Sequence, residues 1–409
     1  MSGYDRRMFL RGALATGIAG SVAGVAAGKA VAETSTTPEA GAPPIPPFHG
    51  PHQAGILAPA RRRTIVAAFD VMADGRDDLA DLLQTLTDRA RALTSGGIPE
   101  QVGITAPSSD SGILGPDIPG GDLMLTVGVG ASLFDDRYGL ASRKPSRLTR
   151  MPTFPNDDLD PAWCHGDLSL QLEADDDDTL LHALRDIAKH TRGGMQVRWR
   201  MNGFSNPPRP TGTQRNLLGF KDGIANPDAT KAAEMDRRVW ASGKAPEPAW
   251  TAGGSYLVVR LIRMLVEFWD RVGLDEQEKM FGRAKDTGAP LDGAHEQDAP
   301  QYQNDPEGLV IPLDSHIRRA NPRTPQTDDS RILRRGFNYD RGMDSVGNLD
   351  VGLIFTCYQQ DLQRQFEATQ KRLADEPLVD YISPFGGGYF FALPGVQDSS
   401  RSFGGFLKV

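Results

Sequence analysis

A strand-like apolar run followed by a helical stripe, recurring through both halves of the chain, is the pattern that most limits how this protein can fold. Thr64 to Val71 forms the first run, and Leu79, Leu82, Leu83, Leu86, Ala90 and Leu93 then recur at helical spacing. Leu123 to Gly130 reads as a further strand. Leu168, Leu170 and Leu172 alternate as one strand face, Leu180, Leu181, Leu184, Ile187 and Ala188 make a second stripe, and Met195, Val197, Trp199 and Met201 alternate again. The second half repeats the order. Ser255 to Leu261 is strand-like, a helix runs through Leu265, Phe268, Trp269 and Val272, and Val351 to Tyr358 is another strand. A helix carrying Leu362, Phe366, Thr369 and Leu373 follows, and Tyr389 to Leu393 is a last strand after Gly386-Gly387-Gly388. Strands joined by single helices twice per half predict an α+β fold of two ferredoxin-like units, each an antiparallel sheet with helices on one face.

The N-terminus lies outside that pattern. Asp5-Arg6-Arg7-Met8-Phe9-Leu10-Arg11 carries a twin arginine, a mildly apolar Ala- and Gly-rich run extends from Gly12 to Gly28, and Ala30-Val31-Ala32 offers a cleavage pattern. Residues 1–32 therefore read as a Tat signal peptide rather than a membrane anchor, with a Pro-, Thr- and Ala-rich arm at 33–60. His49 and His52 fall in that arm and read as solvated loop histidines, while His182 and His190 read as polar positions of the second helix. The remaining chain divides into a first unit at 61–214 and a second at 215–409.

Charge and cysteine content narrow the function. The formal charge is −8, and removing residues 1–32 takes away a net +3, leaving −11. Such a balance argues against a nucleic-acid surface, which needs a basic field to meet phosphates. Cys164 and Cys357 are the only cysteines, so no disulfide framework supports the fold. No Cys-x-x-Cys-His attaches a haem covalently, and Gly128-Val129-Gly130-Ala131-Ser132-Leu133 lacks the third glycine of a dinucleotide fingerprint.

Three stretches carry the chemistry. Asn216 to Pro227 sets Asp222 between Gly219 and Gly223, glycines that can aim a carboxylate into a cavity. Leu313 to Arg323 holds His316 among Arg318, Arg319 and Arg323. A neutral imidazole is a good axial ligand for haem iron, and arginines can pair with haem carboxylates. Arg331 to Tyr339 sets Arg334 against Ile332, Leu333 and Phe337, which could wall one side of a macrocycle.

On these stretches the chain closely resembles the dye-decolourising peroxidase family, in the Tat-exported, iron-uptake-associated branch also called deferrochelatase/peroxidase. The motifs are Gly-Phe-Lys-Asp222-Gly-Ile-Ala-Asn-Pro, Phe-Gly-Arg283-Ala-Lys-Asp-Thr-Gly-Ala-Pro, His316-Ile-Arg-Arg-Ala-Asn-Pro-Arg, Ile-Leu-Arg334-Arg-Gly-Phe and Gly-Gly-Gly-Tyr389-Phe-Phe-Ala-Leu-Pro. The resemblance implies one non-covalent haem b per chain, between the two units or at the second, with His316 on the iron. It implies Asp222 and Arg334 as the catalytic pair above the other face. Haem contacts are implied from Gly223, Ile224, Ala225, Arg283, Asn321, Pro322, Arg323 and Arg334. A carboxylate that orients the proximal imidazole is implied as well, Glu376 by position, with Asp350 and Asp361 as fallbacks.

The implied activity is reduction of H2O2 with one-electron oxidation of dyes, phenols, or ferrous or haem-type donors, in the periplasm or outside the cell. Small-molecule reductants are the implied partners, nucleic acid is excluded, and contacts with iron-uptake components and self-association are left open. Two further readings stay open at this point. One is a haem carrier or deferrochelatase that releases iron without peroxidase turnover as its main role; the other is a binding module without haem.

Overall fold

The computed structural model describes residues 47–407, so the twin-arginine segment and the first part of the arm lie outside the described residues. In chain order the main elements are β1 (Arg63–Val71), α1 (Arg76–Ser95), β2 (Met124–Gly130), β3 (Leu168–Ala174), α2 (Asp177–His190) and β4 (Met195–Phe204). Then come β5 (Ser255–Met264), β6 (Leu333–Arg334), β7 (Phe337–Met343), β8 (Leu349–Gln359) and β9 (Ile382–Ala392).

Each half builds an antiparallel four-stranded sheet in ferredoxin-like order. The first runs β2-β3-β1-β4 and the second β9-β5-β8-β7, with the two-residue β6 on β8. The two sheets do not stay separate. β2 pairs with β9 through Gly128–Ala392, Val129–Phe391 and Gly130–Phe390, and β4 pairs with β7 through Phe204–Asn338, so eight strands close into a ring. Closure leaves no long edge strand to recruit another chain.

Side-chain alternation then sorts residues to the inside or outside of the ring. Val66, Ala68, Trp199, Met201, Leu257, Val259, Leu261, Ile354, Tyr358 and Phe390 form the interior core. On the outer face of the first half, α1 and α2 bring Leu79, Leu82, Leu83, Leu86, Leu180 and Ile187 onto Ile65, Ala67, Leu170 and Leu172. One irregularity matters for β4. A bulge between Ala68 and Phe69 pairs them with Trp199 and Val197 and leaves Arg198 as the extra residue, so the expected single face is split. Met195 joins the outer core, Val197 is exposed, and Trp199 and Met201 turn inward.

The structure corrects several expectations. β7 was not legible, because Phe337-Asn338-Tyr339-Asp340-Arg341-Gly342-Met343 is buried only over its first three residues and bulges against β8. Gly386 to Gly388 lie within β9 rather than before it. A Cβ at Gly387, where φ is +113°, would lie 2.0 Å from the Val259 carbonyl oxygen, and the bare backbone lets Cys164 bridge onto this strand. The helix expected through Val272 is one turn, Val266–Trp269, followed by a separate helix at Leu274–Phe281.

Nor are the arm histidines solvated. His52 stacks on Trp240 at 3.6 Å between centroids and its Nδ1 meets the Gly253 carbonyl at 2.7 Å, while His49 Nδ1 meets the Val396 carbonyl at 3.1 Å. His182 is buried against Ser111, 2.9 Å away. Cys164 and Cys357 are buried free thiols.

Candidate functional site

On the outer face of the second half the helices stand off the sheet, and a cavity enclosing about 1780 Å³, its mouth included, opens between them. Ile262 and Met264 of β5 and Leu353 and Phe355 of β8 form the sheet wall, and Phe281, Ile332, Phe366, Leu373 and Leu378 complete an apolar lining. Asn156 is the single lining residue from the first half, so the cavity belongs to the second unit rather than to the space between the two.

Asp222 reaches the cavity on a loop that the sequence builds locally. Asn216 accepts the backbone N–H groups of Leu218 and Phe220 on its Oδ1, at 3.1 and 3.2 Å, and its own N–H donates to the Phe220 carbonyl. Gly219 at φ +88° and Gly223 at φ +112° adopt the backbone conformations that an L side chain would resist, turning the chain on either side of the acid. Asn226 then ties this loop to a segment over a hundred residues away. Its amide donates to the Arg334 carbonyl at 2.8 Å and its Oδ1 accepts the Arg334 N–H at 3.1 Å, as a strand neighbour would.

Arg334 is held on its other side by β6, where it pairs with Cys357 of β8. Its Nη1 donates to Asp222 Oδ1 at 2.9 Å, and both side chains remain about a quarter exposed toward the cavity. Of the three apolar residues expected to wall a ligand here, only Ile332 does so. Leu333 and Phe337 turn into the ring interior.

His316 opens a short helix, His316–Ala320, that is anchored away from the cavity. Arg318 donates to the Ile311 and Asp305 carbonyls at 2.8 and 2.7 Å, and Arg372 caps the helix C-terminus through the Arg319 and Ala320 carbonyls. Arg318 and Arg319 therefore serve the scaffold and do not line the cavity, contrary to the expected cluster; Arg323 alone of the three does.

The Nδ1 of His316 lies 2.7 Å from Oε2 of Glu376, whose side chain is 3% exposed. Burial works against a charged imidazole, yet the Glu376 charge and hydrogen bond outweigh it and lift His316 above the usual histidine range. The two fallback acids are engaged elsewhere: Asp361 caps the Leu362–Glu367 turn and Asp350 faces Arg341 at 3.4 Å. That turn is a π-helix leading into Ala368–Leu373, so the helix expected over this stretch exists but is widened where Phe366 meets the cavity.

Gly223, Ile224, Ala225, Arg283, Asn321 and Arg323 line the same cavity as Asp222, Arg334, His316 and Glu376; Pro322 does not. The donor set fits an iron porphyrin. Nδ1 of His316 is taken by Glu376, which leaves Nε2 as the nitrogen that could ligate iron. Among the described residues no group of three or more His, Cys, Asp or Glu could hold a metal, as suits a cofactor that brings its own ring nitrogens to the iron and needs one imidazole. Arg283 is 6% exposed with only the Gly288 and Glu296 carbonyls as side-chain hydrogen-bond partners among the described residues, and burial with the charges of Arg323 and Arg334 pushes its guanidinium below the usual range. A carboxylate bound beside it would relieve that cost. Residues the sequence reasoning did not single out are the apolar walls Phe281, Leu353, Phe355 and Leu378, and Tyr302 at the arginine end. Their strand or helix periodicity marks burial, with nothing to say against what.

Comparison with known proteins agrees with this geometry. Residues 53–205 match "Dyp-type peroxidase, N-terminal" and residues 213–397 match "Dyp-type peroxidase, C-terminal". The chain is 53% identical over 366 residues to a deferrochelatase of Escherichia coli strain K12, covering 88% of this chain and 86% of that one. It is 50% identical over 408 residues to a deferrochelatase of Escherichia coli O6:K15:H31, covering 98% and 96%. Among solved structures, ferric DtpA from Streptomyces lividans superposes with a TM-score of 0.79 at 37% identity, covering 88% of this chain and 96% of that one. Matched along both halves, and sharing its fold with a solved relative, this chain belongs to the DyP-type peroxidase family.

Proposed function

We propose that this protein binds one haem b non-covalently and works as a deferrochelatase with peroxidase chemistry in the same cavity. The observation that carries the reading is the joint presence, in one apolar cavity, of the His316–Glu376 pair and the Asp222–Arg334 pair. His316 would hold the iron, and Arg283 and Arg323 would meet the carboxylates of the ring. Neither cysteine lines the cavity, which favours non-covalent attachment. Bound there, haem would supply the electron-transfer chemistry, reducing a peroxide and oxidising donors one electron at a time.

The chain's own residues supply proton movement and charge. Asp222 takes the proton from one oxygen of an incoming peroxide and returns it to the other as that oxygen leaves. Arg334 holds the negative charge that develops on the leaving oxygen and keeps the Asp222 carboxylate aimed. A pure haem carrier has no use for this second pair. The deferrochelatase name of the relatives at 50% and 53% identity favours iron release as the physiological role, the first of the two further readings held open on the sequence. Freeing the metal requires protons for the ring nitrogens it vacates, and Asp222 is the cavity carboxylate that His316 does not engage.

Purified full-length protein should show a Soret band, H2O2-dependent oxidation of phenolic donors, and metal-free porphyrin on incubation with haem. A protein without the Soret band, or with it but with neither activity, overturns the reading.

We also propose export through the twin-arginine route to the periplasm or beyond. Replacing Arg6 and Arg7 with Lys should strand precursor inside the cell, and unchanged export of that variant would sink the idea.

A further inference from the structure

Tyr302 sits at the arginine end of the cavity with its hydroxyl shielded from solvent and no hydrogen-bond partner among the described residues. Leaving a buried hydroxyl unpaired is unfavourable, so a group that completes it is expected. Its neighbours say which kind. Arg318, pinned by Asp305 and Ile311, lies with its guanidinium carbon 4.9 Å from the centre of the Tyr302 ring and braces it. Burial raises the phenol to about 12 against the opposing charges of Arg323, Arg283 and Arg318, so it is a neutral O–H donor at physiological pH.

Arg283 lacks a carboxylate partner, and Arg323 forms no side-chain hydrogen bond or ion pair among the described residues. Arg323 also holds a backbone φ of +56°, rare for a residue without Asn or Gly chemistry, and its own N–H donates to Asn321 at 3.2 Å. One phenol donor and two guanidinia therefore line the same cavity with no carboxylate supplied to them by the described residues. What fits is a carboxylate, which accepts several hydrogen bonds at once and brings the missing negative charge.

We propose that the Tyr302 hydroxyl, together with Arg283 and Arg323, binds a free carboxylate of the porphyrin, so that the site selects carboxylate-bearing porphyrins over their esters. This inference rests on the haem reading above and adds a residue and a substrate class to it: free-acid metalloporphyrins, with Tyr302 as a specificity residue.

The test is Tyr302→Phe in the full-length chain purified without added haem, titrated with ferric haem and, separately, with haem dimethyl ester, following the Soret band. A hydrogen bond to a charged acceptor is equivalent to roughly tenfold or somewhat more in affinity. The variant should bind haem about tenfold more weakly than the parent, lose it correspondingly faster to a haem scavenger, and bind the ester within twofold of the parent. Equal weakening for haem and ester would show that the ring acts by packing alone and would overturn the inference. So would unchanged binding of both, or a parent that does not discriminate between them. A parent that binds haem while the variant matches it leaves the haem reading standing; a parent that binds neither porphyrin removes both.

Discussion

The contact between Glu376 and His316 offers the sharpest test of how the cavity is built. The carboxylate is 3% exposed and 2.7 Å from Nδ1, so little water competes for the bond. A hydrogen bond to a charged group contributes about 1.5–3 kcal/mol, and a neutral acceptor supplies roughly half as much. Glu376→Gln retains shape and an acceptor oxygen but removes the charge, a loss of about 0.8–1.5 kcal/mol, or roughly 4- to 12-fold at 1.4 kcal/mol per factor of ten. Glu376→Leu removes the acceptor and strands the Nδ1–H, and should reach the ~10–100-fold range typical of groups that orient a metal ligand. The assay is the rate of haem loss from loaded protein to a scavenger, paired with the midpoint potential. A less electron-rich imidazole should move that potential upward in the order parent, Gln, Leu. If both variants keep the parent's loss rate and potential while folding normally, Glu376 does not orient the ligand and the assignment of His316 fails with it.

Two further predictions concern charge. Asp222→Asn should retain haem but slow the reaction with H2O2 by about 10²–10⁴-fold, and Arg334→Leu should slow it at least as much, because it removes the charge at the leaving oxygen and the 2.9 Å contact that aims Asp222. Stopped-flow mixing across a range of pH separates them; an Asp222→Asn protein reacting at the parent rate throughout would show that Arg334 acts alone. Away from the cavity, burial and the neighbouring charges of Arg150 and Arg198 lower His165 to about 4. The unfolded chain then binds this proton more tightly than the native one, so stability is full above the ordinary histidine value near 6.5 and is lost as pH falls toward 4. His165→Asn, which tolerates the local φ of +63°, should flatten that part of the stability profile in urea titrations; parallel profiles would refute it.

The amino-acid order alone determined the elements whose burial shows as a clean period. Leu79 to Leu93 and the alternating Leu168, Leu170 and Leu172 declare helix and strand because one face of each meets a core that does not vary along its length. It also marked Asp222, His316 and Arg334, since glycine-flanked acids and clustered arginines are local signals. Tertiary structure decided what depends on partners distant in the chain. β7 is a strand because β4 and β8 lie on either side of it, and the two sheets become one ring only when β2 meets β9 and β4 meets β7. Position in the sequence put Glu376 ahead of Asp350 and Asp361, but only the fold shows Glu376 on the imidazole and the other two claimed by capping and arginine pairing. Arg318 and Arg323 are five residues apart and chemically alike in sequence, yet one braces the scaffold and the other lines the cavity. Their different uses follow from what the fold places opposite each: Asp305 for Arg318, and open cavity for Arg323.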